Sequence, residues 1–144
     1  MTTALAAFIT LHALIHFMGV TKGFGFAELP QLTQPIGRGM GLLWLAAGLT
    51  LLAAAVMVKT HPRSWFWVAL LGVILSQVVI LTAWSDARFG TVANVLIGLF
   101  ALYAFAAEGP LGLRAEYREG VQARLPAKVE APVVREEDLA HLPE

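Results

Sequence analysis

Four stretches of the chain are almost wholly apolar, and most polar residues lie between them. The stretches run from Ala4 to Val20, from Met40 to Val58, from Trp65 to Trp84 and from Thr91 to Ala107. A helix rises about 1.5 Å per residue, so segments of about 17 to 20 residues match the hydrocarbon core of a membrane. The pattern therefore predicts an all-α fold, a four-helix antiparallel transmembrane bundle.

The connections predict the orientation of this bundle. Residues 59–64 and 85–90 form hairpin-short connections, which make neighbouring helices antiparallel and put both termini on one side. Six Lys or Arg residues are expected on the terminal side and three on the other: Lys59, Arg63, Arg114, Arg118, Arg124 and Lys128, against Lys22, Arg38 and Arg88. Positive residues near spans favour the cytoplasm. We therefore expect a multi-pass protein of the cell membrane with cytoplasmic termini.

Composition supports the membrane assignment and narrows the chemistry. The chain is 58% hydrophobic and 14% charged, whereas soluble domains average about 25% charged residues. A formal net charge of zero indicates no nucleic-acid partner. The absence of cysteine from the sequence excludes disulfides, thiol chemistry and cysteine-bound metals.

The chain divides into a four-span membrane domain, residues 1–107, and a short cytoplasmic tail, residues 108–144. Four apolar residues of the tail follow one another at intervals of four: Leu113, Tyr117, Val121 and Leu125. This spacing predicts a juxtamembrane amphipathic helix on the membrane surface, with a solvated helix as the alternative. An acidic segment, residues 133–144, follows.

Strongly polar side chains within the spans are the first functional candidates, because hydrocarbon offers them no hydrogen bonds. His12 and His16 are four residues apart and share one helix face, while Gln77 and Asn94 lie in the third and fourth spans. Counting the helical rise places all four in the half of the membrane away from the termini. We expect the histidines to face the interior and to share a polar pocket with Gln77 or Asn94.

Loop residues on the same side complete the candidate ligand-binding set. They are Lys22, Glu28, Arg38, Asp86 and Arg88. The loop from Thr21 to Gly39 mixes apolar and polar residues and is expected to cover the mouth of the bundle as a lid. The alternative is that the intramembrane polar groups only hydrogen-bond across helices and support the packing.

Specific cofactor chemistry is not indicated. A zinc site needs a third ligand beside the two histidines, so no metal site is predicted. A haem held between two helices lacks a second histidine on a facing span. Phosphate-binding glycine loops, nucleophile elbows and metalloprotease motifs are absent from the sequence. The identity of any cofactor stays open.

Three segments within residues 4–107 carry a resemblance to known membrane proteins. Residues 16–25, His-Phe-Met-Gly-Val-Thr-Lys-Gly-Phe-Gly, distantly resemble the end of the first span in DoxX-type four-helix bacterial proteins. Residues 28–35 and 83–94 resemble a bacterial inner-membrane module of unknown function. In some such proteins a soluble domain follows a segment similar to residues 136–143. The resemblance implies a standalone or truncated module over residues 4–107.

These observations lead to two functional hypotheses of different classes. The first is a membrane scaffold, anchor or accessory subunit with a pocket for a small lipid- or quinone-like ligand. The alternative is a membrane enzyme or redox subunit that acts on a lipid-soluble substrate through His12 and His16. A small transporter is a third and weaker hypothesis. Membrane lipid is an expected partner, together with a protein partner or a second copy of the chain.

Overall fold

The computed structural model describes residues 2–110 and 112–124. In these two ranges the chain forms helices and no strand: α1 Thr2–Phe24, α2 Arg38–Thr60, α3 Trp65–Thr82, α4 Trp84–Ala87, α5 Gly90–Glu108 and α6 Leu113–Arg124. Helices α1, α2, α3 and α5 are long and apolar enough to cross a membrane. The prediction of an all-α bundle of four such helices is confirmed.

The helix boundaries differ from the prediction at the end of the bundle that carries the first loop, here called the loop end. Helix α1 continues to Phe24 instead of ending at Val20. It closes with hydrogen bonds from Gly25 N to Lys22 O and from Phe26 N to Thr21 O, and Gly25 has a φ of 71°. Glycine adopts this left-handed conformation without steric cost, so it ends the helix one turn later.

The helices are arranged in an arc with one open side. Helix α1 packs along α2, α2 along α3 and α3 along α5, while α1 and α5 make only slight contact with each other. The larger apolar core includes the fully buried Ile9, Leu51, Phe66 and Ile97. A smaller cluster of Trp44, Val79 and Ala83 lies towards the loop end. The gap between α1 and α5, here called the seam, is the weakly packed side of the bundle.

Small residues bring α1 and α2 close together. A Cβ atom on Gly23 would lie 2.9 Å from Cα of Gly41, so the two backbones touch there. Gly48 and Gly72 are also in close contact with neighbouring helices. Gly98 has no atom within 4 Å of the position of a Cβ, so it plays no such part within the protein.

The tryptophans of the third span and the tail complete the description of the fold. Trp67 and Trp84 are about half exposed, as interfacial residues should be, but Trp65 is buried in the core. Helix α6 lies where an amphipathic helix was predicted, and Arg114 in its first turn pairs with Glu108. The predicted acidic segment, residues 133–144, lies outside the described residues.

The contact between Gly23 and Gly41 leads to a stability prediction. Gly23→Ala should lower the free energy of unfolding by about 1–3 kcal/mol, because the new methyl group forces two backbones apart. Gly98→Ala is the matched control: the same change in an open position should be neutral or slightly stabilising, since alanine favours helix. Denaturation in detergent followed by circular dichroism measures both. Equal effects of the two substitutions would show that α1 and α2 do not approach at Gly23.

Candidate functional site

The two intramembrane histidines face the interior of the bundle. His12 is 5% exposed and His16 is 2% exposed. Their rings lie edge to face, with centroids 5.0 Å apart, as expected for residues one turn apart on α1. The prediction that this pair faces the bundle interior is confirmed.

A chain of hydrogen bonds joins the histidines to α3 and α5. His12 Nε2 lies 2.9 Å from Asn94 Oδ1, and His16 Nε2 lies 2.9 Å from Ser76 Oγ. Ser76 Oγ is in turn 2.9 Å from Asn94 Oδ1, and Asn94 Nδ2 lies 3.0 Å from Gln77 Oε1. We call His12, His16, Ser76, Gln77 and Asn94 the histidine–amide network. The predicted proximity of at least one histidine to Gln77 or Asn94 is therefore confirmed, by His12 and Asn94.

The network exists because its members have no other partners at this depth. Ser76 and Asn94 are buried on otherwise apolar helices, so turning them outward would place unpaired polar groups in hydrocarbon. Each interhelical hydrogen bond of this kind contributes about 0.6–2 kcal/mol. The pairing holds three helices in one register and explains the burial of so many polar atoms.

A cavity of about 320 Å³ lies beside the network at the loop end of the seam. We call it the seam pocket. Its lining residues are His12, Ile15, His16, Met18, Gln31, Leu32, Trp44, Ile80, Asp86, Ala87, Phe89, Gly90 and Ala93. The two histidines provide polarity within a mostly apolar wall. Ile15 and Phe89 are 51% and 76% exposed, so the pocket adjoins the surface of the bundle.

Trp44 forms another wall of the seam pocket. The residue is 3% exposed, and its ring centroid lies 5.5 Å from that of His16. Its Nε1 is buried and has no hydrogen-bond partner among the described residues. A buried N–H without an acceptor costs about 1–3 kcal/mol. Trp44 thus presents a donor whose partner the described part of the chain does not supply.

The first loop is fastened over the pocket by Asp86. Its carboxylate accepts hydrogen bonds from the backbone N–H of Thr33 at 2.6 Å and of Gln34 at 2.9 Å, and from the Thr33 hydroxyl at 2.7 Å. The Gln34 backbone bond is the main reason that the pKa of Asp86 lies below its ordinary value. Lys22 Nζ donates to the backbone oxygen of Leu32. These bonds place Gln31 and Leu32 in the roof of the pocket.

The nine predicted site residues do not all reach the pocket. His12, His16 and Asp86 line it, while Asn94 and Gln77 lie behind it in the network. Lys22 and Glu28 line a separate surface hollow. Arg38 and Arg88 line neither cavity, and the Arg88 guanidinium lies over the ring of Phe89.

Trp44 and Thr33 are site residues that the sequence did not single out. Trp44 gave no distinctive signal, because a tryptophan near a helix end is typical of the membrane interface. Thr33 lies in an irregular loop, where spacing does not indicate a partner. Ser76 was visible as a polar residue in the third span, but only the structure shows its contact with His16.

A second cavity occupies the opposite end of the seam. Its volume is about 600 Å³, and its wall is mainly apolar, with Glu108 and Arg114 among its few charged lining residues. None of the network residues lines it. Across the described part of the chain, no three His, Asp or Glu side chains come together as a metal-ligand set. The polar chemistry of the seam is therefore concentrated at the loop end.

Comparison with known proteins does not extend these observations. No protein-family model matches the chain, and neither a curated protein nor a solved structure is significantly similar to it. The resemblance to DoxX-type proteins and to a bacterial module stays a prediction. Function has to be argued from the geometry of the site.

The Asp86 contacts lead to a prediction about the loop. Asp86→Asn should increase deuterium exchange of the backbone over residues 31–35, because the amide replaces one carboxylate oxygen with a donor. Because its pKa is lowered in the folded state, the carboxylate stabilises the closed loop above its unfolded pKa. That stabilisation is lost as the pH falls through the folded pKa. Relative to the intrinsic rate at each pH, wild-type exchange of these amides should therefore rise only in acid, below the ordinary pKa of about 3.8.

Glu28→Gln is the control for this experiment. It removes one negative charge from the first loop itself, whose exchange is measured. Glu28 is exposed and accepts no hydrogen bond from the described residues. Its exchange pattern should match that of the wild type. Equal exchange in Asp86→Asn and wild type would show that the carboxylate does not hold the loop.

Proposed function

We propose that this protein is an integral membrane module that binds a small, lipid-soluble ligand in the seam pocket, as a scaffold or accessory subunit for a partner protein. The seam pocket carries the proposal: it is lined by two imidazoles and by buried Trp44, whose Nε1–H has no hydrogen-bond partner among the described residues. A ligand oxygen beside this N–H would remove the cost of leaving it unpaired.

The shape and lining of the pocket favour an amphiphilic ligand. Its volume of about 320 Å³ is near the lower end of the about 300–1,000 Å³ found for small-molecule sites. Ile15 and Phe89 at the exposed edge suit an apolar chain that extends into lipid, while Trp44 and the histidines suit a polar head group. A quinone or a small lipid has this division of polarity.

When both histidines are neutral, the absence of Lys and Arg from the lining argues against a strongly anionic head group. Among the residues that line the seam pocket, Asp86 carries the one acidic group and there is no Lys or Arg. An anion would leave water without a compensating charge and would meet the field of the Asp86 carboxylate. A neutral head group with an oxygen acceptor fits the same wall at lower cost.

One observation supports the enzyme or redox subunit as the second candidate. His12 both lines the pocket and belongs to the buried network, so an imidazole is available beside any bound ligand. Imidazole changes its charge more readily near neutral pH than any other ordinary side chain. Turnover of a bound compound, absent in His12→Gln, would favour this class over a binding module.

We expect both termini to be cytoplasmic, which would place the seam pocket in the outer half of the membrane. The excess of Lys and Arg on the terminal side supports this orientation. Alkaline phosphatase, which is active only outside the cytoplasm of bacteria, should be inactive when fused after Glu144 and active when inserted after Pro35. The reverse pattern would overturn the orientation without affecting the pocket.

The ligand hypothesis predicts a specific effect of Trp44. A short-chain quinone should bind the detergent-solubilised protein saturably in equilibrium dialysis. Trp44→Phe should weaken binding about tenfold, because the ring shape is largely kept while one hydrogen bond of about 1.4 kcal/mol is lost. Mass spectrometry of lipid extracts from the purified protein should show a retained compound that is depleted in the variant.

Trp67→Phe is the matched control. This residue is 54% exposed and lines neither seam cavity, so its replacement should leave the dissociation constant unchanged. Equal losses in Trp44→Phe and Trp67→Phe would point to a nonspecific effect on the bundle. An absence of saturable binding and of any retained compound in the wild type would refute the ligand hypothesis.

A further inference from the structure

The hydrogen positions in the histidine–amide network can be counted from its partners. His16 Nδ1 lies 3.0 Å from the backbone oxygen of His12. A carbonyl oxygen can only accept, so His16 Nδ1 always carries a hydrogen. The protonation state of His16 is therefore decided at its other nitrogen, Nε2, which contacts Ser76 Oγ.

In the first arrangement the Ser76 hydroxyl donates to Asn94 Oδ1. Ser76 has a single hydroxyl hydrogen, so the contact with His16 then requires a hydrogen on His16 Nε2. His16 carries hydrogens on both nitrogens and is an imidazolium. His12 Nε2 also donates to Asn94 Oδ1, which leaves Nδ1 of a neutral His12 without a hydrogen.

In the second arrangement His16 is neutral and its Nε2 accepts from the Ser76 hydroxyl. Ser76 Oγ must then accept a hydrogen from Asn94, so the Asn94 amide is turned over and presents Nδ2. The second Nδ2 hydrogen goes to His12 Nε2, and neutral His12 holds its hydrogen on Nδ1. Gln77 turns over with Asn94, and the Thr91 hydroxyl donates to it.

Both arrangements satisfy the same six contacts. They join His16 to His12 O and Ser76, Asn94 to Ser76, His12 and Gln77, and Gln77 to Thr91. The arrangements differ by one proton and by the orientation of two amides, but not in these six bonds. A seventh and longer contact, 3.4 Å between Ser76 Oγ and His12 Nε2, carries a hydrogen only in the first arrangement. A neutral His16 with the amides of the first arrangement would leave two acceptor oxygens, Ser76 Oγ and Asn94 Oδ1, facing each other at 2.9 Å. Protonation and amide orientation are therefore coupled.

This coupling reaches the seam pocket through His12. Nε2 of its ring is engaged by Asn94, whereas Nδ1 bonds to no described residue. Because His12 lines the pocket, Nδ1 is the ring nitrogen left for a ligand. It is an acceptor when His16 is protonated and a donor when His16 is neutral.

We infer that the histidine–amide network is a one-proton switch that reverses the hydrogen-bond polarity of the seam pocket. With His16 neutral, His12 Nδ1–H offers the pocket a donor, which suits a carbonyl oxygen. With His16 protonated, the same nitrogen is an acceptor, which suits a hydroxyl group. This ligand preference rests on the proposed function, while the switch itself does not.

The surroundings of the switch contain few other charges. From α2, Trp44 and Gly48 face His16, and neither titrates. From α3 and α5 the neighbours are the neutral network residues and Thr91. The pocket rim supplies Asp86, and Lys22 on α1 is bound to the Leu32 oxygen. The protonated His16 ring lies within the range of a cation–π contact with the Trp44 ring.

Nitrogen NMR of the intact protein tests the switch directly. The chain is labelled with ¹⁵N-histidine, placed in lipid nanodiscs without added ligand and titrated from about pH 8 to about pH 4. Protonated and unprotonated ring nitrogens have well-separated shifts, and His61→Gln identifies one signal set outside the bundle. His16 should gain a second hydrogen, and His12 should move its hydrogen from Nδ1 to Nε2 at the same midpoint.

Two variants separate the switch from simple titration. Ser76→Ala removes the hydroxyl that couples the rings, so the His12 hydrogen should no longer move with the protonation of His16. Thr10→Ala removes another α1 hydroxyl, one bonded to the Ala6 oxygen within its own helix, and should leave the coupled change intact. If Ser76→Ala does not fold, the wild-type titration decides alone.

Three outcomes would overturn the switch: a His16 that stays neutral throughout, a His12 that keeps one tautomer while His16 titrates, or the same loss of coupling in Thr10→Ala as in Ser76→Ala. Because no ligand is added, these results are independent of quinone binding. A coupled titration together with no saturable binding would retain the switch and remove the proposed ligand.

Discussion

The hydrogen bond between His12 and Asn94 crosses the one side of the bundle where helices scarcely pack. Helices α1 and α5 make slight contact, yet these two buried side chains lie 2.9 Å apart across the seam. Hydrocarbon offers no replacement partner, so separating the helices would leave both groups unpaired. The bond thus holds the arc of helices nearly closed, and it lies between two cavities of different character, one lined by histidines and one mainly apolar.

The bond between His12 and Asn94 forms the floor of the seam pocket. Trp44 forms one wall, and Asp86 holds the loop that forms the roof. Trp44 can occupy the wall because Gly19 on α1 has no side chain: a Cβ there would lie 2.1 Å from the indole ring. Asp86 draws the first loop across the opening through backbone N–H groups of Thr33 and Gln34. Burial of an indole and two imidazoles in one region is unlike ordinary bundle packing, where apolar side chains fill the space.

Long apolar runs predicted the four spans because membrane thickness sets the length of a helix. The inward position of His12 and its contact with Asn94 were also predictable, since each polar group had few possible partners at that depth. The position of Trp44 was not predictable, because its burial depends on a glycine in another helix. Nor was it predictable which loop charges would reach the pocket. Arg38 and Arg88 lie at the loop end, but their long side chains are exposed, and sequence spacing does not orient such groups.

A shared residue links the ligand and the proton in the proposed mechanism. In this mechanism Nδ1 of His12 is left for the ligand and Nε2 bonds to Asn94. The position of the ring hydrogen therefore affects both interactions at once. A ligand that accepts hydrogen bonds stabilises the arrangement with neutral His16, and a hydroxyl ligand stabilises the protonated one. Thermodynamic linkage makes this effect reciprocal. Protonation of His16 lowers the affinity for the ligand that accepts hydrogen bonds by the same factor by which that ligand lowers the proton affinity of His16. The carbonyl and alcohol forms of one compound would therefore be distinguished by a proton held one helical turn away, without movement of any helix.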